Sequence, residues 1–183
     1  MKAIPWEARR IEFTDAYVAG FLDGDGSIIA TFERRPNRRR FPYRIRLKVS
    51  FTQHERHESF MRALMTHLGM GALRRIKSHR LLDIVVQDRT HVQKLLRRMQ
   101  PYLVLKWRQA QIVLDVIDIY DHSKVNVRSS LSEKEFAAIL SRVKQVRALN
   151  ARTGGKQSES PVTTQTQVFK GLELQNAHES ISS

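Results

Sequence analysis

The sequence has no cysteine among its 183 residues, which excludes disulfide bonds and thiolate metal sites. No apolar run approaches the length of a transmembrane helix, so we expect no membrane partner. The first 13 residues carry Pro5, Glu7 and Glu12 where a signal peptide would have its apolar core. Together these absences predict an intracellular protein, with the compartment left open.

Acidic side chains are also few in proportion to basic ones. The chain has 18 Asp and Glu against 32 Lys and Arg, a formal net charge of +14. Residues 151–183 contain three basic and three acidic side chains, so the whole excess lies before them. Because 41% of the residues are hydrophobic, one sizeable core is possible. We therefore predict a single domain over 1–150 that binds a polyanion, with 1–13 as an arm and 151–183 as a polar tail that docks at most in part.

An apolar helix that ends in two acids set between glycines is the most informative part of the chain. Thr14 is predicted as its N-cap, and the sequence AYVAGFLDGDGS puts Asp23 and Asp25 at its C-terminal end. Gly24 and Gly26 are expected to let the chain leave the helix and turn both carboxylates outward. Carboxylates repel the negative end of a helix unless a cation lies there, and oxygen ligands favour Mg²⁺ or Ca²⁺. The alternative is an ordinary helix end followed by a turn, for which Asp-Gly is also typical.

Small residues line one side of this helix. Ala16, Ala19 and Gly20 lie at the spacing of one helical face. A face with so little side-chain volume predicts close packing against another helix.

Two strands are predicted after the motif, over 27–33 and 43–53, joined by an arginine-rich loop. In the second strand, basic or polar side chains alternate with apolar ones, which is the period of a strand with one buried face. A two-stranded ribbon with a basic face fits the DNA major groove. The alternative is an ordinary solvated sheet face, although such faces mix charges of both signs. The residues that we expect to meet DNA are Ser27, Ile29, Thr31 and Glu33 on the first strand, Arg35, Arg38, Arg39 and Arg40 in the loop, and Arg44, Arg46, Lys48 and Ser50 on the second strand.

The remaining elements repeat this order of helix and hairpin. We predict a helix over 56–68, strands over 72–77 and 81–87, a helix to 99 after an N-cap at Thr90, a helix over 103–120, and a helix to 150 that begins with a capping box of Ser132 and Glu135. The α-β-β-α-β-β-α order predicts an α+β fold in which a four-stranded antiparallel sheet forms a saddle under helices. On the second hairpin we expect DNA contacts from Arg74, Ile76, Lys77, Asp83 and Val85.

The stretch YVAGFLDGDGS at 17–27 resembles the signature of the LAGLIDADG homing endonucleases, with the final acid of the motif at Asp25. Similarity extends from about residue 14 to about 150, and the single copy of the motif is similar to the homodimeric branch of the family. The resemblance implies a C2 homodimer that makes a double-strand break in a long pseudo-palindromic DNA site by metal-dependent phosphodiester hydrolysis, encoded by a mobile intron. It places Ala16, Ala19, Gly20 and Asp23 at the dimer interface.

The resemblance also implies roles for individual residues. Asp25, with the carbonyl of Gly24, would bind Mg²⁺; Mn²⁺ would substitute, and Ca²⁺ would bind without supporting cleavage. Gln53 would orient a water, and Lys106 would act in the solvent network or against the phosphate. Relatives carry an active-site arginine at a position that is His57 here, with Arg56 one residue earlier, so either of these two could be the cationic partner.

Two other classes of function stay open from the sequence. One is a relative of the same fold that does not cleave, either a maturase that binds intron RNA or a DNA-binding regulator. The other is a generic basic nucleic-acid-binding protein in which Asp-Gly-Asp-Gly is merely a turn. Asp25, Gln53 and Lys106 favour the endonuclease, because a protein that only binds has no reason to place acids beside a phosphate.

Overall fold

The computed structural model describes residues 12–34, 43–123 and 131–151. The chain separates into two units, Met1–Asn150 and Ala151–Ser183, and every element named below belongs to the first. The elements are α1 Asp15–Asp25, β1 Gly26–Arg34, β2 Tyr43–His54, α2 Glu58–Leu68, β3 Ala72–Ile76, β4 Leu81–Val86, α3 Arg89–Met99, α4 Trp107–His122 and α5 Glu133–Leu149. Residues 1–11 of the N-terminal arm, the loop arginines 35 and 38–40, and residues 152–183 of the tail lie outside the described residues, and the predictions for them stay predictions.

The four strands form one antiparallel sheet in the order β1-β2-β4-β3. Alternate side chains of its three best-covered strands are buried beneath the helices: Ile28 and Ala30 in β1, Leu47, Val49 and Phe51 in β2, and Leu82, Ile84 and Val86 in β4. This alternation removes one face of each strand from water. The predicted α+β fold with a four-stranded sheet under helices is confirmed.

Two helix starts follow the predicted capping chemistry, and a glycine ends a third helix. Thr14 Oγ1 accepts a hydrogen bond from the backbone N–H of Tyr17 over 3.2 Å. Gly69 ends α2 with φ of 65°, a conformation that glycine adopts at low cost. Ser132 and Glu135 form the capping box of α5. No helix among the described residues has both the length and the apolar character needed to cross a bilayer.

The glycines of the motif do not act as predicted. α1 continues through Gly24 to Asp25, and Gly26 is extended with φ of −106° and ψ of 173°, so neither adopts a left-handed conformation. Gly26 is required by close approach instead, because a Cβ there would lie 2.5 Å from Leu22 Cδ1 and 2.7 Å from the Leu22 carbonyl oxygen. A Cβ at Gly24 would meet nothing within 4 Å.

Two other helix starts differ from the predictions. α3 is capped by Asp88 instead of Thr90, because the Asp88 carboxylate accepts from His91 N over 3.0 Å. α4 begins at Trp107 instead of residue 103, since the preceding backbone amides are bound to a side chain of α1.

Candidate active site and DNA-binding face

Asp25 is the last residue of α1 and is exposed. The Gln53 side chain reaches it from the end of β2, where Gln53 Nε2 donates to Asp25 Oδ2 over 3.2 Å. The strand register explains this contact. Gly26 pairs with Phe51, so the start of β1 and the end of β2 lie side by side at the same end of the strands. The Gln53 amide is also fixed at its other atom, since Oε1 accepts from His54 N over 2.9 Å. The structure therefore brings together two of the predicted site residues.

Asp23 does not turn outward with Asp25. It is only 9% exposed, and its Oδ2 accepts from the backbone N–H groups of Val104 over 2.7 Å and Leu105 over 3.1 Å. Its Oδ1 accepts from Lys106 N over 2.9 Å. Two residues advance about 200° around an α-helix, so the two carboxylates point in opposite directions. The prediction that Asp23 turns outward is wrong, and its place at a dimer interface stays a prediction.

Lys106 is tied to the same end of α1. It occupies the N-cap position of α4, and its Nζ donates to the backbone carbonyl oxygen of Asp23. That carbonyl lies two residues before Asp25, at the negative end of the helix, where a cation is favourable. The end of α1 thus gathers Asp25, Gln53 and Lys106 from three separate elements.

Arg56 and His57 lie in a 3₁₀ turn, Glu55–His57, that follows β2. Arg56 Nε donates to His57 Nε2 over 3.1 Å, and Arg56 N donates to His54 Nδ1 over 3.1 Å. The two residues follow Gln53 closely in the sequence, and their side chains are hydrogen-bonded to one another. Which of them serves as the active-site cation stays a prediction.

The donor set at the end of α1 fits a hard divalent cation. Asp25 offers an exposed carboxylate of which one oxygen is engaged by Gln53, and Gly24 precedes it in the last helical turn. Carboxylate and carbonyl oxygens are the ligands that Mg²⁺ and Ca²⁺ prefer. Within the described residues, no group of three or more His, Cys, Asp or Glu could hold a metal ion. Asp25 and Gly24 therefore offer part of a coordination shell.

The outer face of the β1–β2 hairpin is basic, as predicted. Arg44 and Arg46 are exposed and Lys48 is half-buried. The register sets Arg44 opposite Glu33, and Arg46 Nη2 lies 3.5 Å from Glu33 Oε2. Ser27, Ile29 and Thr31 share this face and are partly exposed.

The side chains at the centre of the outer face are buried. Three predicted DNA contacts are therefore corrected, because these residues have almost no accessible surface. Ser50 is 2%, Asp83 9% and Val85 5% exposed. Ser50 Oγ lies 2.7 Å from Ser27 Oγ, and Asp83 Oδ1 accepts from Thr52 Oγ1 over 3.0 Å. β2 and β4 are the central strands, so their short side chains are covered by neighbours on both sides. The alternation of residues along a strand correctly predicts on which face of the sheet a side chain lies, but it does not predict how far neighbouring side chains bury it.

The edge strand β3 and the turn after it offer the accessible part of the second hairpin. Arg74, Ile76 and Lys77 are exposed. Arg74 Nη2 makes a long contact of 3.5 Å with Gln87 Oε1. These three predicted DNA contacts are therefore placed on an accessible surface.

The small-residue face of α1 is open in part. Ala16, Gly20 and Gly24 are exposed at successive turns of the helix, and a Cβ at Gly20 would meet nothing within 4 Å. Ala19 has no exposed surface, because it packs inside its own chain. Its assignment to a dimer interface is wrong.

An ion-pair cluster beside the site was missed at the sequence level. Arg75 Nη1 lies 2.7 Å from Glu55 Oε2, its Nη2 contacts Glu58, and Arg80 Nε lies 2.7 Å from Glu55 Oε1. Hydrogen bonds from Arg80 and then Arg75 lower the pKa of Glu55, and those from Arg62 and Arg75 lower the pKa of Glu58. One signal was available, since alternation puts Arg75 on the opposite face of β3 from Arg74, toward the helices.

Comparison with known proteins agrees with this geometry. Residues 18–114, just over half of the chain, match the family model for LAGLIDADG endonuclease. The chain is 33% identical over 135 residues to the DNA endonuclease I-CreI of Chlamydomonas reinhardtii, covering 73% of this chain and 77% of that protein. It is 29% identical over 109 residues to the DNA endonuclease I-CvuI of Chlorella vulgaris, covering 60% and 66% respectively.

Solved structures match over a larger part of the chain. The homing endonuclease I-CvuI in complex with an I-CreI target, in 2 mM Mg with the DNA not cleaved, aligns with a TM-score of 0.65 and 26% identity over 78% of this chain and 83% of that one. The same enzyme with its own target in 2 mM Ca aligns with a TM-score of 0.69 and 24% identity over 87% and 94%. These likenesses show the homing endonuclease fold. With the motif, the fold and the family match in agreement, the chain belongs to the LAGLIDADG endonuclease family.

Proposed function

We propose that this protein is a homodimeric, site-specific homing endonuclease that hydrolyses one phosphodiester in each strand of a long pseudo-palindromic DNA site. One observation carries the proposal: an exposed carboxylate, Asp25, is held by Gln53 at the edge of a sheet whose outer face is basic. The related I-CreI and I-CvuI are DNA endonucleases, and I-CvuI has been solved on target DNA. The natural location is then inside a cell, where DNA is found, and the gene is expected in a mobile intron.

A homodimer follows from the number of sites. One chain presents one Asp25, whereas cutting both strands of a duplex needs two attacking centres related by the symmetry of the target. The open face of Ala16, Gly20 and Gly24 lies on the helix that ends at Asp25. A second copy packed there would bring two copies of Asp25 close together.

Exposed apolar side chains support the same surface. Tyr17 of α1 is exposed, as are Val104, Leu105 and Trp107 in the segment bound to the end of that helix. Val104, Leu105 and Trp107 put three exposed apolar side chains in one short segment, which is typical of protein–protein contacts. A second copy of the chain would bury them beside the active site.

Asp25 and the Gly24 carbonyl are the groups that would hold a divalent metal. A divalent cation there supplies positive charge to the scissile phosphate and acidifies nearby water. We propose that Mg²⁺ is the natural ion, that Mn²⁺ replaces it, and that Ca²⁺ supports binding without cleavage. Because no group of three candidate ligands occurs within the described residues, the remaining ligands come from a second copy, from DNA and from water.

The other residues near Asp25 would orient the attacking water and neutralise negative charge on the phosphate. The Gln53 amide is fixed at both ends, by Asp25 and by the His54 backbone, so it can present an N–H group to an attacking water in a constant direction. The Lys106 ammonium adds a positive charge near the phosphate, where negative charge develops during hydrolysis. Arg56 or His57 supplies a second cation from the turn after β2.

Selection followed by cleavage tests the proposal. The protein would first enrich duplexes from a randomised library in Ca²⁺, and the enriched duplexes would then be incubated with Mg²⁺ and with EDTA. We expect cuts in both strands near the centre of one long, near-palindromic sequence, lost in EDTA and in Asp25→Asn. Asp15→Asn is the matched control, because it removes a carboxylate from the other end of the same helix, where Asp15 pairs with Arg98 over 2.6 Å.

The main alternative predicts a different result. A maturase or a DNA-binding regulator would enrich a sequence, or bind a structured intron RNA, and leave every duplex intact in Mg²⁺ and Mn²⁺. That outcome would contradict the endonuclease and favour the non-cleaving members of the fold.

A further inference from the structure

The side chains of the segment that carries Lys106 pack little against the rest of the chain. Residues 104–106 join a 3₁₀ turn, Gln100–Tyr102, to the start of α4. Val104 is 73% and Leu105 71% exposed, so packing of these side chains within the chain contributes little. Leu103, directly before the segment, is buried. Something other than side-chain packing must fix the backbone that positions the lysine.

Asp23 supplies that hold. Its two carboxylate oxygens accept the three consecutive backbone N–H groups of 104–106. Hydrogen bonds from amides to a carboxylate are shorter and stronger than those between neutral groups, and a carboxylate that is 9% exposed makes them with little competition from water. A single side chain therefore fixes three residues of the connecting segment.

The side chain of Lys106 in turn bonds to the backbone of Asp23. Lys106 Nζ donates to the backbone carbonyl of Asp23, so the two residues are joined both by carboxylate to backbone and by ammonium to backbone. The place of the ammonium in the last turn of α1 thus depends on the backbone that Asp23 holds. Asp25 lies in that same turn.

We propose that Asp23 is a positioning residue for DNA cleavage, which acts by holding Lys106 beside Asp25. This inference rests on the proposed endonuclease function. Asp23 itself does not meet the reacting phosphate, because both of its oxygens are engaged by backbone N–H groups and it points away from Asp25. Its effect on the reaction passes through Lys106.

A double-mutant cycle on the full-length protein tests this assignment. Asp23→Asn, Lys106→Met and the double variant would be compared in single-turnover cleavage of the selected duplex and in duplex affinity in Ca²⁺. Because small misplacements of a catalytic group are costly, we expect each single variant to lose roughly 10- to 100-fold in cleavage rate with little change in affinity. The double variant should be no slower than Lys106→Met alone, since the lysine through which Asp23 acts is already gone.

Asp15→Asn separates this effect from the general loss of an α1 carboxylate, and it should cleave at the wild-type rate. Multiplied losses in the double variant, or a wild-type rate in Asp23→Asn, would overturn the proposal. So would a loss of affinity that equals the loss of rate, because a merely structural role would weaken both.

Hydrogen exchange provides a second test that does not depend on activity. The amides of 104–106 should exchange slowly in the wild-type protein and faster in Asp23→Asn, which leaves the exposed apolar side chains of the segment and their contact with a second copy unchanged. Equal protection in the two proteins would overturn the proposal. Rapid exchange there would show that Asp23 does not hold the segment and would overturn the proposal. A wild-type protein that cuts no DNA but protects these amides would instead contradict the endonuclease function while leaving the hold by Asp23 in place.

Discussion

The helix layer and the outer face of the sheet both carry many arginines, but they use them differently. In the helix layer four arginines pair with acids on neighbouring helices. The pairs are Arg89 with Asp121 at 3.1 Å, Arg97 with Asp118 at 3.4 Å, Arg142 with Asp115 at 3.8 Å, and Arg98 with Asp15 at 2.6 Å. On the sheet, within the part of the chain that the structure describes, Arg44 and Lys48 take part in no ion pair, and Arg46 has one acidic partner, Glu33.

This difference shows where the excess of +14 is available to a ligand. A paired arginine contributes little to the field that a polyanion meets, whereas an exposed cation without a partner contributes fully. Composition predicts a polyanionic partner, and the pairing pattern supports the proposal that the outer face of the sheet is the surface that meets it.

The largest expected effect comes from removing charge on the sheet. Arg44→Ala with Lys48→Ala should weaken DNA binding by roughly 2–4 kcal/mol per protomer and reduce the slope of log affinity against log salt by about two per protomer, or about four for the homodimer, because each lost phosphate contact releases one counterion fewer. Affinity would be measured over a series of salt concentrations. Lys94→Ala with Lys144→Ala is the matched control: both lysines are exposed on helices, and the net charge changes equally. Equal losses from the two pairs would break the comparison.

A more local effect is expected at Arg46. Its guanidinium is half-exposed and is oriented by Glu33 at 3.5 Å, which suits an arginine that reads a base edge more than one that contacts only phosphate. Arg46→Ala should reduce discrimination at one or two positions of each half-site by about 1–3 kcal/mol. Repeating the selection with the variant and sequencing the enriched duplexes measures this. A loss of affinity that is uniform across all sequences would assign Arg46 to the backbone instead.

In the helix layer we expect an effect on stability alone. Asp15 and Arg98 join α1 to α3, and both side chains are about one-third exposed. Asp15→Asn should lower the free energy of unfolding by about 1 kcal/mol, in the range of partly solvated pairs, and leave DNA affinity unchanged. Urea unfolding gives the first quantity and binding in Ca²⁺ the second. A weakened affinity in the folded variant would show that helix-layer charges also serve recognition.

Much of the fold was predictable because its signals are local. The alternation of Ile45, Leu47, Val49 and Phe51 with basic or polar residues predicted one face of β2, and Ser132 with Glu135 predicted the start of α5. These patterns depend on neighbours within a few residues, where backbone geometry alone fixes which side chains share a face.

Parts of the site were not predictable because they depend on distant residues. The direction of Asp23 follows from where α1 ends and from amides that lie 81 to 83 residues away. The burial of Asp83 depends on its position in a central strand and on a hydrogen bond from Thr52. Such features are set by the order of strands and by the joining of remote segments, which no local pattern records.

The smallest expected effect concerns the ion-pair cluster that ties β3 and the β3–β4 turn to the end of β2. Because the pKa of Glu55 is lowered in the folded protein, the cluster stabilises above the ordinary carboxyl pKa of 4.5, and this contribution is lost as the pH falls through the lower folded-state value. Glu55→Gln should therefore be slightly less stable than wild type at pH 7, with the difference shrinking as the pH falls below 4.5. Urea unfolding at several pH values measures this, and Asp15→Asn controls for a carboxylate outside the cluster. A difference between Glu55→Gln and wild type that stays constant with pH would show that the charge of Glu55 does not hold the second hairpin in place.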